Sequence, residues 1–181
     1  MTTGDIREEL LTLVKEKAVR KGEHTLSSGK KSSFYIDGKQ VTLDPQGILV
    51  LGKVLLGMLH GTQATAVGGP TLGADPIAAA VALLSSQTGK PLKAFIVRKE
   101  EKKHGTQKRI EGPELGAGER VVVVEDVITT GNSVLEAIRE VEKLKCRVVK
   151  VICLVDREEG AKETLRDYNF SPIFTKTELG L

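Results

Sequence analysis

VVVVEDVITTGNS, residues 121–133, sets four valines directly before two carboxylates and then a run of hydroxyl side chains around a glycine. Four consecutive β-branched apolar residues suit a strand buried on both faces, the habit of parallel sheets covered by helices. Residues 133–143 follow as a helix-like segment. The first amides of a helix have no intrahelical acceptor, so with hydroxyls and a closely approachable glycine they make a phosphate site. Glu125 and Asp126 cannot share that phosphate, because like charges repel. Adjacent acids below such a cradle suit the two vicinal hydroxyls of a ribose, or a Mg²⁺ ion with its waters. A 5-phosphorylated ribose meets both requirements.

Working outward, short Val/Ile/Leu runs alternate with helical patterns. Strands are expected over 64–67, 93–97, 121–124 and 148–155, with helices over 48–60, 75–85 and 133–143. The fold class this predicts is α/β, a parallel sheet flanked by helices. Ligands in such sheets sit at the carboxyl ends of the strands, here the turns after Val67, Val97, Val124 and Val155. Upstream, Ile6, Leu10, Leu13, Val14 and Lys17 keep helical spacing. Phe34-Tyr35-Ile36-Asp37 and Gln40-Val41-Thr42-Leu43 flank Gly38-Lys39, a pattern that predicts a hairpin with a two-residue turn. Asp44-Pro45 marks a helix start.

Composition excludes several function classes. The 181 residues are 40% hydrophobic and 28% charged, which describes a globular chain rather than a disordered one. Aromatics make up 3% and Trp is absent, too few for base-stacking platforms, and a net charge of +3 is small for a nucleic-acid binder, so no nucleic-acid partner is expected. The opening MTTGDIREELL has acids where a signal peptide is basic, and no apolar run approaches the ~20 residues that span a bilayer. A cytoplasmic protein with no membrane partner is expected. Cys146 and Cys153 are too few for a disulfide framework, and His24, His60 and His104 lack metal-ligand spacing.

After Val97 the chain reads RKEEKKHGTQKRIEGPELGAGE. Arg98, Lys99, Lys102, Lys103, Lys108 and Arg109 crowd a glycine-punctuated segment with little apolar content. Beside a ribose phosphate site, such a segment suits a cationic lid that meets a pyrophosphate leaving group.

The string at 121–133 resembles the signature of the phosphoribosyltransferases that use phosphoribosyl pyrophosphate (PRPP). The segment from Arg98 through Lys102 to His104-Gly105 resembles the catalytic loop of the orotate phosphoribosyltransferase family, and the likeness runs along nearly the whole chain. Phe34-Tyr35-Ile36-Asp37 resembles that family's N-terminal hood. Gly69-Pro70-Thr71-Leu72-Gly73-Ala74-Asp75-Pro76 resembles its pyrophosphate loop, and Asp156-Arg157-Glu158-Glu159-Gly160 its segment for the orotate carboxylate. Some members carry lysines near the places of Ser27 and Gly73; their absence leaves the pyrophosphate to Arg98, Lys99 and Lys102.

The resemblance implies one domain over 1–181: a hood over about 1–45, an α/β core over about 46–160, and a segment 161–181 completing core or hood. It implies transfer of phosphoribosyl from PRPP to orotate, giving orotidine 5'-monophosphate and pyrophosphate. PRPP would be held by Arg98, Lys99, Lys102, His104, Glu125, Asp126, Val127, Ile128, Thr129, Thr130, Gly131, Asn132 and Ser133. Orotate would be held by Thr129, Arg157, Phe34 and Tyr35. Lys102, Asp126, Glu125 and His104 would carry the chemistry, His104 as a pyrophosphate ligand or as a proton donor, the former being preferred. Mg²⁺ is the implied cofactor, held through PRPP and water with no direct side-chain ligand, and a homodimer with shared sites the implied assembly. A purine phosphoribosyltransferase would share 121–133 but has no use for Arg157 and the FYID segment. A PRPP-sensing regulator would need a DNA-binding module, for which the residues before Phe34 leave no room.

Overall fold

The computed structural model describes residues 3–25, 31–100 and 109–181. A six-stranded sheet forms its centre: β3 (Ala66–Pro70), β4 (Lys93–Val97), β5 (Ile110–Glu111), β6 (Arg120–Ile128), β7 (Arg147–Asp156) and β8 (Phe170–Thr175). Their order across the sheet is β5-β4-β3-β6-β7-β8. All neighbours run parallel except β5, which turns back against β4. Helices α4 (Ala74–Ser86), α5 (Asn132–Lys143) and the short α6 (Ala161–Thr164) make the crossovers.

The valines of β6 alternate between two cores. Val122 and Val124 pack into a cluster with Leu10, Leu51, Ile77 and Phe174 on one face. Val121 joins Ala137 and Val141, and Val123 joins Val134 and Ile138, on the α5 face. This is the two-sided burial expected of a continuous apolar run in a parallel sheet. In α5 the buried residues are Val134, Ala137, Ile138 and Val141, one helical stripe.

Before the sheet come α1 (Thr3–Leu13), a π-helical turn (Val14–Ala18), β1 (Val19–Thr25), β2 (Lys31–Ile36), α2 (Lys39–Thr42) and α3 (Pro45–Leu59). The expected start of α3 is where it should be: the Asp44 carboxylate accepts from the amides of Gln46 and Gly47, with Pro45 in the first turn.

Three expectations are corrected. The hairpin joins β1 to β2, antiparallel, with Val19 opposite Ile36; residues 40–43 are no strand. Asp37 Oδ1 accepts the Lys39 amide at 3.2 Å and Gly38 O accepts the amides of Val41 and Thr42, so a helical turn starts there. Burial explains the choice. A strand would put Val41 and Leu43 on one face, whereas the helical turn buries Val41 and Thr42 and leaves Leu43 68% exposed. Second, β6 does not end at the valines but runs through both acids to Ile128, pairing with β7 as far as Asp156. Third, the polar segment after β4 contains a strand, β5, because Ile110 packs against the cluster around Phe95 and Val97.

The chain's ends meet at the far edge. β8 extends the sheet beside β7, and Arg7 of α1 donates to Ile173 O at 2.8 Å, pairs with Glu178 at 2.6 Å and lies over the Phe174 ring.

Candidate active site

Glu125 and Asp126 stand near the carboxyl end of β6 and are almost wholly buried. The Asp126 amide donates to Glu125 Oε1 at 3.0 Å, and the Val127 amide donates to Asp126 Oδ1 at 2.7 Å. Burial, and then the charge of Asp126, lift the Glu125 carboxyl well above its ordinary range. The pair therefore holds its second negative charge reluctantly.

A cavity of about 300 Å³ opens over these acids, lined among others by Thr71, Gly73, Arg98, Lys99 and Ser133. Gly73 is packed so closely on them that a Cβ there would collide with both carboxylates. Its loop is braced by Thr71, whose amide donates to Val97 O at 3.0 Å and whose hydroxyl donates to Asp75 Oδ2 at 2.8 Å.

Beyond Ile128, Thr129, Thr130, Asn132 and Ser133 are exposed at the start of α5. Gly131 caps that helix with φ of 85°, a left-handed conformation that suits glycine. The helix amides and hydroxyls thus open to solvent beside the acids, the arrangement that binds an oxyanion.

A second group of residues stands alongside. The Arg157 amide donates to Ile128 O at 2.9 Å, tying the residue after β7 to the end of β6. The residue is 5% exposed, with the guanidinium 5.2 Å from the centre of the Phe34 ring and 2.8 Å from Glu159 Oε1. Tyr35, next along β2, stands instead beside the His24 ring at 5.8 Å.

The described ends of the cationic segment converge on one side chain. Arg109 donates to the carbonyls of Arg98 and Lys99 at 3.0 and 2.8 Å and to Glu140 of α5 at 3.0 Å. Lys102 and His104 lie outside the described residues.

The chain matches the phosphoribosyl transferase domain family over residues 55–176. It is 46% identical to the orotate phosphoribosyltransferase of Nostoc sp., over 96% of this chain and 85% of that protein. With the namesake from Streptomyces coelicolor it shares 46% identity over 98% of each. The chain belongs to the orotate phosphoribosyltransferase family. A crystal structure of the Mycobacterium tuberculosis orotate phosphoribosyltransferase in complex with PRPP is similar to it with a TM-score of 0.81 at 36% identity, covering 97% of this chain and 99% of that one.

Two features of the site carry no signal in the sequence. Lys39, assigned there to a hairpin turn, places its Nζ 3.3 Å from Asp126 Oδ2 and 3.2 Å from Asp37 Oδ1. Burial works against its charge, but Asp126 and Asp37 outweigh burial and raise its pKa. Burial likewise works against the Asp37 carboxylate, yet hydrogen bonds from Gln40 and Lys39 hold it below the ordinary range. The other feature is the Arg109 brace; that residue counted in the sequence only as one more cation. Neither has a local signal, since Lys39 meets Asp126 across 87 residues of chain and Arg109 meets Glu140 across 31.

Proposed function

We propose that this chain transfers the 5-phosphoribosyl group of PRPP to orotate, giving orotidine 5'-monophosphate and pyrophosphate in pyrimidine nucleotide synthesis. The observation that carries this reading is the junction of β6 and β7. The Arg157 amide hydrogen-bonds Ile128 O, so a residue whose guanidinium has the Phe34 ring beside it is tied through its backbone to the end of the strand that carries the acid pair.

In this reading Thr129, Thr130, Gly131, Asn132 and Ser133 hold the 5-phosphate through amides and hydroxyls. Glu125 and Asp126 take the ribose hydroxyls, and their charge favours the cationic sugar that develops as the anomeric bond breaks. Arg157 takes the orotate carboxylate in two parallel hydrogen bonds, for which a planar guanidinium is shaped, and Phe34 covers the pyrimidine. Orotate must then displace Glu159 from Arg157. Arg98 and Lys99, with Lys102 and His104, face the pyrophosphate.

Mg²⁺ fits as an ion carried by the substrate. Among the described residues no three or more His, Cys, Asp or Glu side chains converge on a metal site, and Asp126 already faces an ammonium. When bound through PRPP oxygens and water, Mg²⁺ neutralises charge on the departing pyrophosphate.

The same reading includes a cytoplasmic homodimer whose lid reaches its neighbour's ribose; a single-chain particle in sedimentation under assay conditions would contradict the dimer. No helix among the described residues is long and apolar enough to cross a membrane. Turnover with PRPP, Mg²⁺ and a panel of orotate, adenine and hypoxanthine tests the substrate. Orotate alone should be consumed; use of a purine base in preference would overturn the assignment.

A further inference from the structure

Lys39 has no part in the roles assigned so far, yet it lines the cavity over the acids. It is the first residue of α2, directly after the turn from β2, and its ammonium lies between two carboxylates, 3.2 Å from Asp37 Oδ1 and 3.3 Å from Asp126 Oδ2. Asp37 is itself anchored, accepting the Lys39 amide at 3.2 Å and the Gln40 side-chain amide at 3.1 Å. The turn is pressed against its target: a Cβ on Gly38 would lie 2.8 Å from Asp126 Cβ. With the Val127 amide on Oδ1, the ammonium gives the second carboxylate oxygen its partner. Among the described residues, it is the hydrogen-bond partner of Asp126 from outside β6.

We propose that Lys39 is a positioning residue for Asp126, holding its carboxylate in one orientation and balancing its charge so that a polyanionic sugar phosphate can enter above it. The need for such a residue follows from the floor of the cavity. Two adjacent buried acids repel an incoming phosphate ester and each other, and a buried carboxylate without a cation is costly. A single ammonium held by Asp37 meets both difficulties while leaving the cavity open. The raised pKa of Lys39 keeps it charged while it does so.

This inference rests on the phosphoribosyl-transfer reading, and the experiment separates the two. PRPP binding by calorimetry with Mg²⁺ and steady-state kinetics would be measured for the wild type, Lys39→Met, Lys39→Gln and Lys39→Arg. The same substitutions would be repeated on Asp126→Asn. Each uncharged variant should weaken PRPP binding and lower kcat by about tenfold, the scale of one charge-assisted hydrogen bond, with the KM for orotate unchanged. Lys39→Arg should recover most of the loss. On Asp126→Asn the uncharged variants should cost less than about twofold more, the mark of a residue acting through that carboxylate. An equal loss in both backgrounds would mean that Lys39 contacts substrate directly, and unchanged PRPP binding and kcat with only a lower melting temperature would leave it a structural role; either overturns the proposal. Lys39→Gln carries the test where Lys39→Met lowers the melting temperature. Should the wild type bind PRPP but use no orotate, the substrate reading falls, and the PRPP-binding series still decides on Lys39.

Discussion

Glu125 and Asp126 are neighbours in sequence but stand in different electrostatic surroundings. Asp126 faces an ammonium; Glu125 is enclosed, with a carboxylate beside it and its carboxyl raised by burial and then by Asp126. A carboxyl whose pKa is higher folded than unfolded favours the folded state while protonated. That advantage is fully present below the ordinary value of 4.5 and is lost as pH rises through the higher folded value. Glu125→Gln keeps the shape and an acceptor for the Asp126 amide while removing the charge. The ligand-free variant should therefore melt higher than the wild type at pH 7–8, and the gap should close as pH falls below about 4.5. A constant gap across the range, or a less stable variant at pH 8, would contradict this account of the pair. The two acids were legible in the sequence because they adjoin a signal of their own, the valine run. Lys39 was not, because its partner lies 87 residues away, and only the close approach of Gly38 and the start of α2 to β6 brings the charges together.

At the scale of elements, periodicity served where a segment has one environment and failed where it has two. The valines of β6 and the stripe of α5 are each covered by a single kind of surface, so spacing alone predicted them. Residues 40–43 alternate as a strand would, yet the Asp37 side chain and Gly38 carbonyl offer the backbone a helical turn, and burial of Val41 with Thr42 decides for it. β5 and β8 were missed for a related reason: both are edge strands, and β5 has only two residues, Ile110 and Glu111. The loop before α4 shows how close the packing of elements around the acids is. Gly73→Ala adds a Cβ that collides with both carboxylates, so loop and acids must separate. A displacement of about 1 Å at reacting groups costs on the order of a hundredfold in rate. We expect Gly73→Ala to lose at least tenfold in kcat/KM on that basis, with a melting temperature close to wild type. Full activity in a folded Gly73→Ala variant would show that the loop does not rest on the acids in the working enzyme.

Across the whole molecule, the sheet order assembles the site from separate halves. β6 and the start of α5 supply the acids and the oxyanion cradle, while β2 and the residues after β7 supply Phe34 and Arg157. The Arg157 amide joins the halves at Ile128. We propose that these halves bind different substrates, sugar phosphate on one and base on the other. Paired measurements on Arg157→Ala and Asp126→Asn test it: PRPP binding by calorimetry, and kcat with the KM for each substrate. Arg157→Ala should raise the KM for orotate by about tenfold to a hundredfold, the cost of a charged hydrogen-bonding group, and leave PRPP affinity within about twofold. Asp126→Asn should lower kcat by about a hundredfold or more while the chain stays folded, as expected of a group that stabilises developing charge. Loss of PRPP binding in Arg157→Ala with its orotate KM intact would contradict the division of the site.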